Sequence, residues 1–170
     1  MTLLDEIETC IPALRRYAHA LLRDRDAADD LVQDCLERAL ARRHLWRGDG
    51  PVLAWLFRIL LNRFRDGRRG ARTGATLISL DAVIEPTRHG GQESHLALRE
   101  VHEAMGRLPD EQRAAILLVA VEGMNLAEAA RVLDIPEGTL ASRLGRARAQ
   151  LRRVTGRPGK RSDDRQDVRK

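Results

Sequence analysis

The stretch NLAEAARVLDIPEGTLASRLGRARAQLRR, residues 125–153, decides the fold. Asn125 suits a helix N-cap, Glu128 three residues on completes a capping box, and Gly123 just before them is a natural helix stop. A short helix is expected over about residues 126–133, where Ala129, Ala130 and Leu133 form a small inner face that lets a second helix approach closely. Asp134 is a residue type that tolerates the left-handed turn conformation, Ile135 plugs the corner, and Pro136 suits the entry to the next helix. From Glu137 the residues Leu140, Leu144, Ala147 and Leu151 recur at helical spacing, with Thr139, Ser142, Arg143, Arg146, Gln150 and Arg153 expected on the opposite arc. Short hydroxyls near the amino end and arginines along one face are what a groove-reading helix needs for base edges and phosphates. The bland alternative is a solvated basic helix on an ordinary bundle. The capped first helix and the tight turn favour DNA.

Charge is distributed in blocks. Residues 137–170 hold eleven basic and four acidic residues, net +7, so the rest of the chain, whose total is +5, carries −2. Residues 58–72 hold six Arg against one Asp, whereas residues 24–37 hold six acids against Arg25 alone. Blocks of opposite sign suggest separate surfaces for separate partners.

With 170 residues, 43% of them hydrophobic, the chain has room for one compact domain or two small ones, and its long periodic segments are helical in pattern. Cys10 and Cys35 fall on apolar helix faces with no CxxC and no His at ligand spacing, which reads as buried thiols in a reducing compartment, a disulfide between them being the lesser alternative. The amino terminus has neither the basic start nor the unbroken apolar run of a signal peptide, and no stretch is apolar enough to cross a membrane; a cytoplasmic protein is expected.

The first half reads as a helical unit. Leu3, Leu4, Ile7, Ile11, Leu14, Ala18, Leu21 and Leu22 make one apolar stripe. Asp26 is the expected cap of a second helix with Ala28, Leu31, Val32, Cys35, Ala39 and Leu40 inward. Its outer face, Asp26, Asp30, Gln33, Asp34 and Glu37, is either a plain solvated face or a docking surface for a basic helix, and periodicity alone favours the plain one. After the break at residues 48–51 a third helix is expected over about residues 52–69. Leu53, Leu56, Phe57, Leu60, Leu61 and Phe64 would be buried, and Arg58, Asn62, Arg65 and Arg69 would form one outer line, a second candidate DNA contact. Trp55 reads as core; Trp46, beside the glycine break, is either a hydrophobic anchor or a platform for an unstacked base.

The organisation expected is all-α, with two small helical domains (residues 1–70 and 96–155), a flexible linker (71–95) and a disordered charged tail (156–170). His89 and His95 lack a second pair of ligands, so neither a metal nor a cofactor is expected. No carboxylate pair, nucleophile with base or phosphate-binding loop points to an enzyme.

Four stretches, in this order, carry a family resemblance over nearly the whole chain. They are DAADDLVQD at 26–34, AWLFRI at 54–59, Leu108 with Pro109, and IPEGTLASRLGRAR at 135–148. Together they resemble extracytoplasmic-function (ECF) RNA polymerase sigma factors of the sigma-70 family. The resemblance implies a bacterial transcription initiation factor with a sigma region 2-like and a sigma region 4-like domain. It implies that Asp29, Asp30, Gln33, Asp34 and Glu37 dock on core RNA polymerase, reversing the plain reading of that face. Trp46, Arg58, Asn62, Arg65 and Arg69 would then engage the −10 element of promoter DNA, and Thr139, Ser142, Arg143, Arg146 and Gln150 the −35 element. It also implies an anti-sigma factor as partner. Ala141 stands where the family often has Lys or Arg, Asp134 where it often has Gly, and Ala129 in place of a larger aliphatic residue. A stand-alone helix-turn-helix regulator and a sigma-like decoy for an anti-sigma factor are the competing readings.

Overall fold

The computed structural model describes residues 2–73 and 92–156, with the side chains of 71–73 and 92–98 excepted. Seven α-helices occur among them: α1 (Leu3–Leu22), α2 (Arg25–Ala41), α3 (Val52–Thr73), α4 (Gln92–Gly106), α5 (Asp110–Ala120), α6 (Leu126–Leu133) and α7 (Glu137–Thr155). Most of the expected linker, the expected tail beyond Gly156, and His89 lie outside the described residues.

Local chemistry sets the helix ends. Thr2 caps α1: its hydroxyl accepts from Asp5 N at 3.3 Å, while Thr2 N donates to the Asp5 carboxylate at 2.7 Å, and these bonds hold Asp5 below the usual carboxylate range. α1 ends at Arg23, whose φ of 62° is a left-handed conformation that costs a side-chain-bearing residue more than glycine. That turn leaves Asp24 extended, and it is Asp24, not the expected Asp26, that caps α2 by accepting from Ala27 N at 2.9 Å. Asp26 sits in the first turn instead, where its charge favours the positive end of the helix dipole.

The first bundle buries Ile7, Leu14, Tyr17, Ala18 and Leu21 of α1 against Leu31, Val32 and Cys35 of α2 and Leu56, Phe57, Leu60 and Leu61 of α3. Leu4, expected in the stripe, is 53% exposed, and Tyr17, not expected there, is fully buried with its ring edge-on to Phe57 at 4.8 Å. Both cysteines are free: Cys35 is buried with Sγ 3.4 Å from Leu56 O and its thiol pushed up to about 12 by burial, while Cys10 is half-buried.

In the second bundle, Ala114, Ala115, Ile116, Leu117 and Leu118 are buried in succession along α5. One helix face cannot account for five consecutive buried residues; α5 is covered by α6 and α7 on one side and by α1 on the other. The two bundles therefore share a core, with α1 packed on α5 and α3 on α6. Across the seam Tyr17 Oη donates to Ala114 O at 2.9 Å. Arg113, 7% exposed, donates to Leu21 O at 2.7 Å and to Met105, Gly106 and Leu108 carbonyls at 2.9, 3.1 and 2.9 Å, satisfying helix-end acceptors from both bundles.

Arg23 Nε donates to His102 Nε2 at 3.2 Å in the same region. Burial, then the Arg23 guanidinium, hold the His102 imidazole below its ordinary 6.5, against a smaller opposing effect of Glu103 and with a further lowering by Arg113. The unfolded chain takes up this proton near pH 6.5 and the folded chain only at lower pH, so this contribution to stability is intact above pH 6.5 and is lost as the pH falls below it. The thermal midpoint is expected to drop between about pH 7.5 and about pH 5.5 more for the natural chain than for His102→Gln, which keeps an acceptor for Arg23 and does not titrate. Equal drops in a melting experiment would contradict this assignment.

Candidate nucleic-acid interface

The helix-turn-helix is built as its sequence directs. Glu128 N donates to Asn125 Oδ1 at 2.9 Å and Asn125 N to Glu128 Oε2 at 3.1 Å, closing the capping box on α6. Asp134 takes φ 54° and ψ 50°, and Ile135 N donates to Ala130 O at 3.1 Å, so the chain reverses within three residues before α7 begins. Leu140, Leu144 and Ala147 are buried against the bundle, which fixes the rotation of α7 about its axis.

That rotation divides the expected arc. Thr139, Ser142 and Arg146 are exposed, and Arg146 Nη2 donates to Ser142 Oγ at 2.8 Å, holding the guanidinium along the outer surface. Arg143 instead lies on the flank, its side chain 18% exposed and paired with Glu111 at 2.7 Å, and Gln150 Nε2 donates to Arg107 O at 3.1 Å. At 100° per residue, Arg143 falls only about 70° from the centre of the apolar line, so its flanking place was open to a helical-wheel reading. The same wheel puts Arg148 and Arg152 on the other flank, and both are exposed; neither was among the expected contacts.

Along α3, Arg58, Asn62 and Arg69 are exposed, whereas Arg65 is half-buried and its Nη2 donates to Leu133 O, at the carboxyl end of α6, at 2.8 Å. Arg68 lies over the Phe64 ring at 5.7 Å and pairs with Asp110. Trp46 is half-buried on Trp55, ring centroids 5.2 Å apart, in the geometry of an anchor for the following loop. Gly48 and Gly50 there take φ of 75° and 109°, conformations closed to most side chains.

The acidic set on α2 also divides. Asp29 accepts from Arg15 at 3.2 and 3.4 Å and lies 3.0 Å from His19 Nε2; the His19 contact is the largest cause of its lowered pKa. Asp34 is held by Arg63 of α3. Both carboxylates thus brace α2 against its neighbours. Asp30, Gln33 and Glu37 are exposed together with Asp26, and Gln33 Nε2 donates to Glu37 Oε1 at 3.1 Å. Among the described residues no cluster of His, Cys, Asp or Glu is arranged to hold a metal ion, and no helix is long and apolar enough to cross a membrane.

One chain thus carries an acidic outer face on α2, a basic α3 and a helix-turn-helix formed by α6 and α7. Residues 7–61 match the family described as the sigma2 domain of PhyR, and residues 98–151 match sigma-70, region 4. The chain is 37% identical over 150 residues to the ECF RNA polymerase sigma factor EcfG of Rhodopseudomonas palustris, covering 88% of this chain and 83% of that one. It belongs to the ECF sigma factor family. Members of this family are not enzymes. The sigma factor RpoE of Bartonella quintana, solved in complex with the anti-sigma factor NepR, is 32% identical and superposes with a TM-score of 0.77 over 89% of this chain and 95% of that one. The response regulator PhyR of Brucella abortus is 25% identical, with a TM-score of 0.55 over 88% of this chain and 44% of that one. The all-helical, sigma2-like and sigma4-like architecture read from the sequence is the one these relatives share.

Proposed function

We propose that this ECF sigma factor binds core RNA polymerase and directs transcription initiation at its own promoters by contacting their −10 and −35 elements. The observation that carries this reading is the orientation of α7: burial of Leu140, Leu144 and Ala147 turns Thr139, Ser142 and Arg146 outward on a helix-turn-helix within the region 4 match. These three residues read the −35 element, with Arg143 and Gln150 supporting them from the flank. Arg58, Asn62, Arg65, Arg69 and the loop anchored by Trp46 engage the −10 element. Asp30, Gln33 and Glu37, with Asp26, dock on polymerase, while Asp29 and Asp34 hold α2 in place for that contact. The resemblance to RpoE in its NepR complex supports an anti-sigma factor as a further partner in the cytoplasm. Higher identity to sigma factors than to PhyR favours this reading over a decoy for such a factor.

Arginine contacts to phosphates release counterions, so binding to DNA weakens with salt, and two sites on one chain gain from effective concentration once polymerase spaces them. In a gel-shift experiment the isolated protein is expected to shift promoter DNA weakly and to lose the complex between about 50 and about 200 mM salt. With core polymerase present, a promoter-specific complex persists at the higher salt. Tight, salt-resistant binding by the isolated protein would instead identify a stand-alone regulator.

A further inference from the structure

Helix α7, which carries the proposed −35 contacts, is held by polar groups at two points on one flank. Arg143 Nη2 lies 2.7 Å from Glu111 Oε2 of α5, and Gln150 Nε2 donates to Arg107 O at 3.1 Å. Arg143 and Gln150 stand two helical turns apart, roughly 10 Å along the axis, so together they fix α7 lengthwise as well as in rotation. The buried line Leu140, Leu144 and Ala147 settles rotation alone, because apolar contact is non-directional and resists sliding only weakly. Both polar partners belong to the corner between α4 and α5. That corner is firm: the buried Arg113 guanidinium donates to the Met105, Gly106 and Leu108 carbonyls. Glu111 stands at its edge, its side chain 69% exposed, and Arg143 folds down to 18% exposure to reach it.

Few groups on the outer face share the work of reading. Thr139, Ser142 and Arg146 are exposed, whereas Ala141, Gly145 and Ala149 beside them carry no polar side-chain atom. Such contacts must be held within about 0.5 Å of their working geometry to discriminate between partners. We propose that Glu111 is a specificity-determining residue that does not touch DNA: with the Arg107 carbonyl it holds α7 through Arg143 and Gln150, and so sets which base pairs Thr139, Ser142 and Arg146 reach. This rests on the reading of α7 as the −35 contact. Without the strut α7 rocks on its apolar line, mismatched base pairs find partners, and discrimination falls while the best promoter is served as before.

Glu111→Ala and Glu111→Gln lose the same charge, but only glutamine keeps an oxygen for Arg143 Nη2. Loss of a negative charge near DNA acts on phosphates and so raises binding alike for every sequence. The template is a start site of the host used by the natural holoenzyme, made into a library by randomising its upstream element. Transcription by core polymerase with the full chain, followed by sequencing of the products, gives the preference for the best element over its single mismatches. That preference is expected to fall roughly threefold to fivefold in Glu111→Ala and by less than about twofold in Glu111→Gln. Output from the best element is expected to change by less than about twofold in both. Amide exchange followed by mass spectrometry reports the hold on α7 without DNA, and it is expected to be faster across residues 137–155 in Glu111→Ala than in Glu111→Gln. Melting followed by circular dichroism verifies that each variant folds.

Equal loss of preference in the two variants overturns the proposal, since charge alone would then account for it. Unchanged preference in Glu111→Ala, or a lower output with preference intact, overturns it too and leaves the sigma-factor function standing. A host with no start site used by the natural holoenzyme removes that function and the specificity role with it; exchange that is faster in alanine than in glutamine then leaves Glu111 as a strut of the fold alone.

Discussion

Replacing Arg146 by alanine is expected to lower run-off transcription from a promoter served by this protein by roughly tenfold to a hundredfold, the effect of losing one groove-facing arginine. The geometry singles out this residue. Its guanidinium is exposed on the outer surface of α7 and steadied by Ser142 Oγ, ready to exchange that neutral acceptor for a base edge or phosphate. Arg143→Ala is expected to cost less than about threefold by comparison, because Arg143 is turned toward Glu111 and mostly covered. Core polymerase affinity, measured by competition against another sigma factor, is expected to stay unchanged in both variants. Equal transcription losses at the two positions would mean that the flank of α7, and not its outer line, meets DNA.

The other large effect lies on α2. Asp30→Arg with Glu37→Arg is expected to weaken core polymerase binding roughly a hundredfold, since both carboxylates are exposed and reversal sets like charges against a basic partner surface. Asp34→Ala is expected to behave differently. It strips Arg63 of its partner within the first bundle, so the thermal midpoint falls while polymerase affinity changes less than about threefold. A loss of polymerase affinity at Asp34 as deep as that at Asp30 and Glu37, without loss of stability, would return Asp34 to the docking face.

How far the chain could be read in advance follows from the range of the interactions involved. The boundaries of α6 and α7 were legible because Asn125, Glu128, Asp134 and Pro136 act within a few residues of themselves. The cap of α2 lies two residues before the expected Asp26, since Asp24 and Asp26 are equal as capping chemistry and only the left-handed turn at Arg23 selects Asp24. The seam was not legible. Tyr17 and Ala114, or Arg65 and Leu133, meet across long separations that leave no periodic trace, and Arg113 in its DEQRAA context reads as a solvated helix residue. The sequence carries one signal of it: the apolar run from Ala114 to Leu118 is too continuous for a helix with one wet face. For the site, residue type and order conveyed what the protein is, whereas which arginines and carboxylates the fold keeps for itself depends on neighbours supplied by other helices.

As proposed above, this chain confers promoter choice on core RNA polymerase. Run-off transcription on fragmented genomic DNA from its own host, with core polymerase and with start sites mapped by sequencing of the transcripts, tests this most directly. Discrete start sites are expected that appear only when the protein is added, share a common upstream pair of elements, and fade with Arg146→Ala. Transcripts unchanged by the protein, alongside tight binding of the isolated chain to specific DNA, would contradict it.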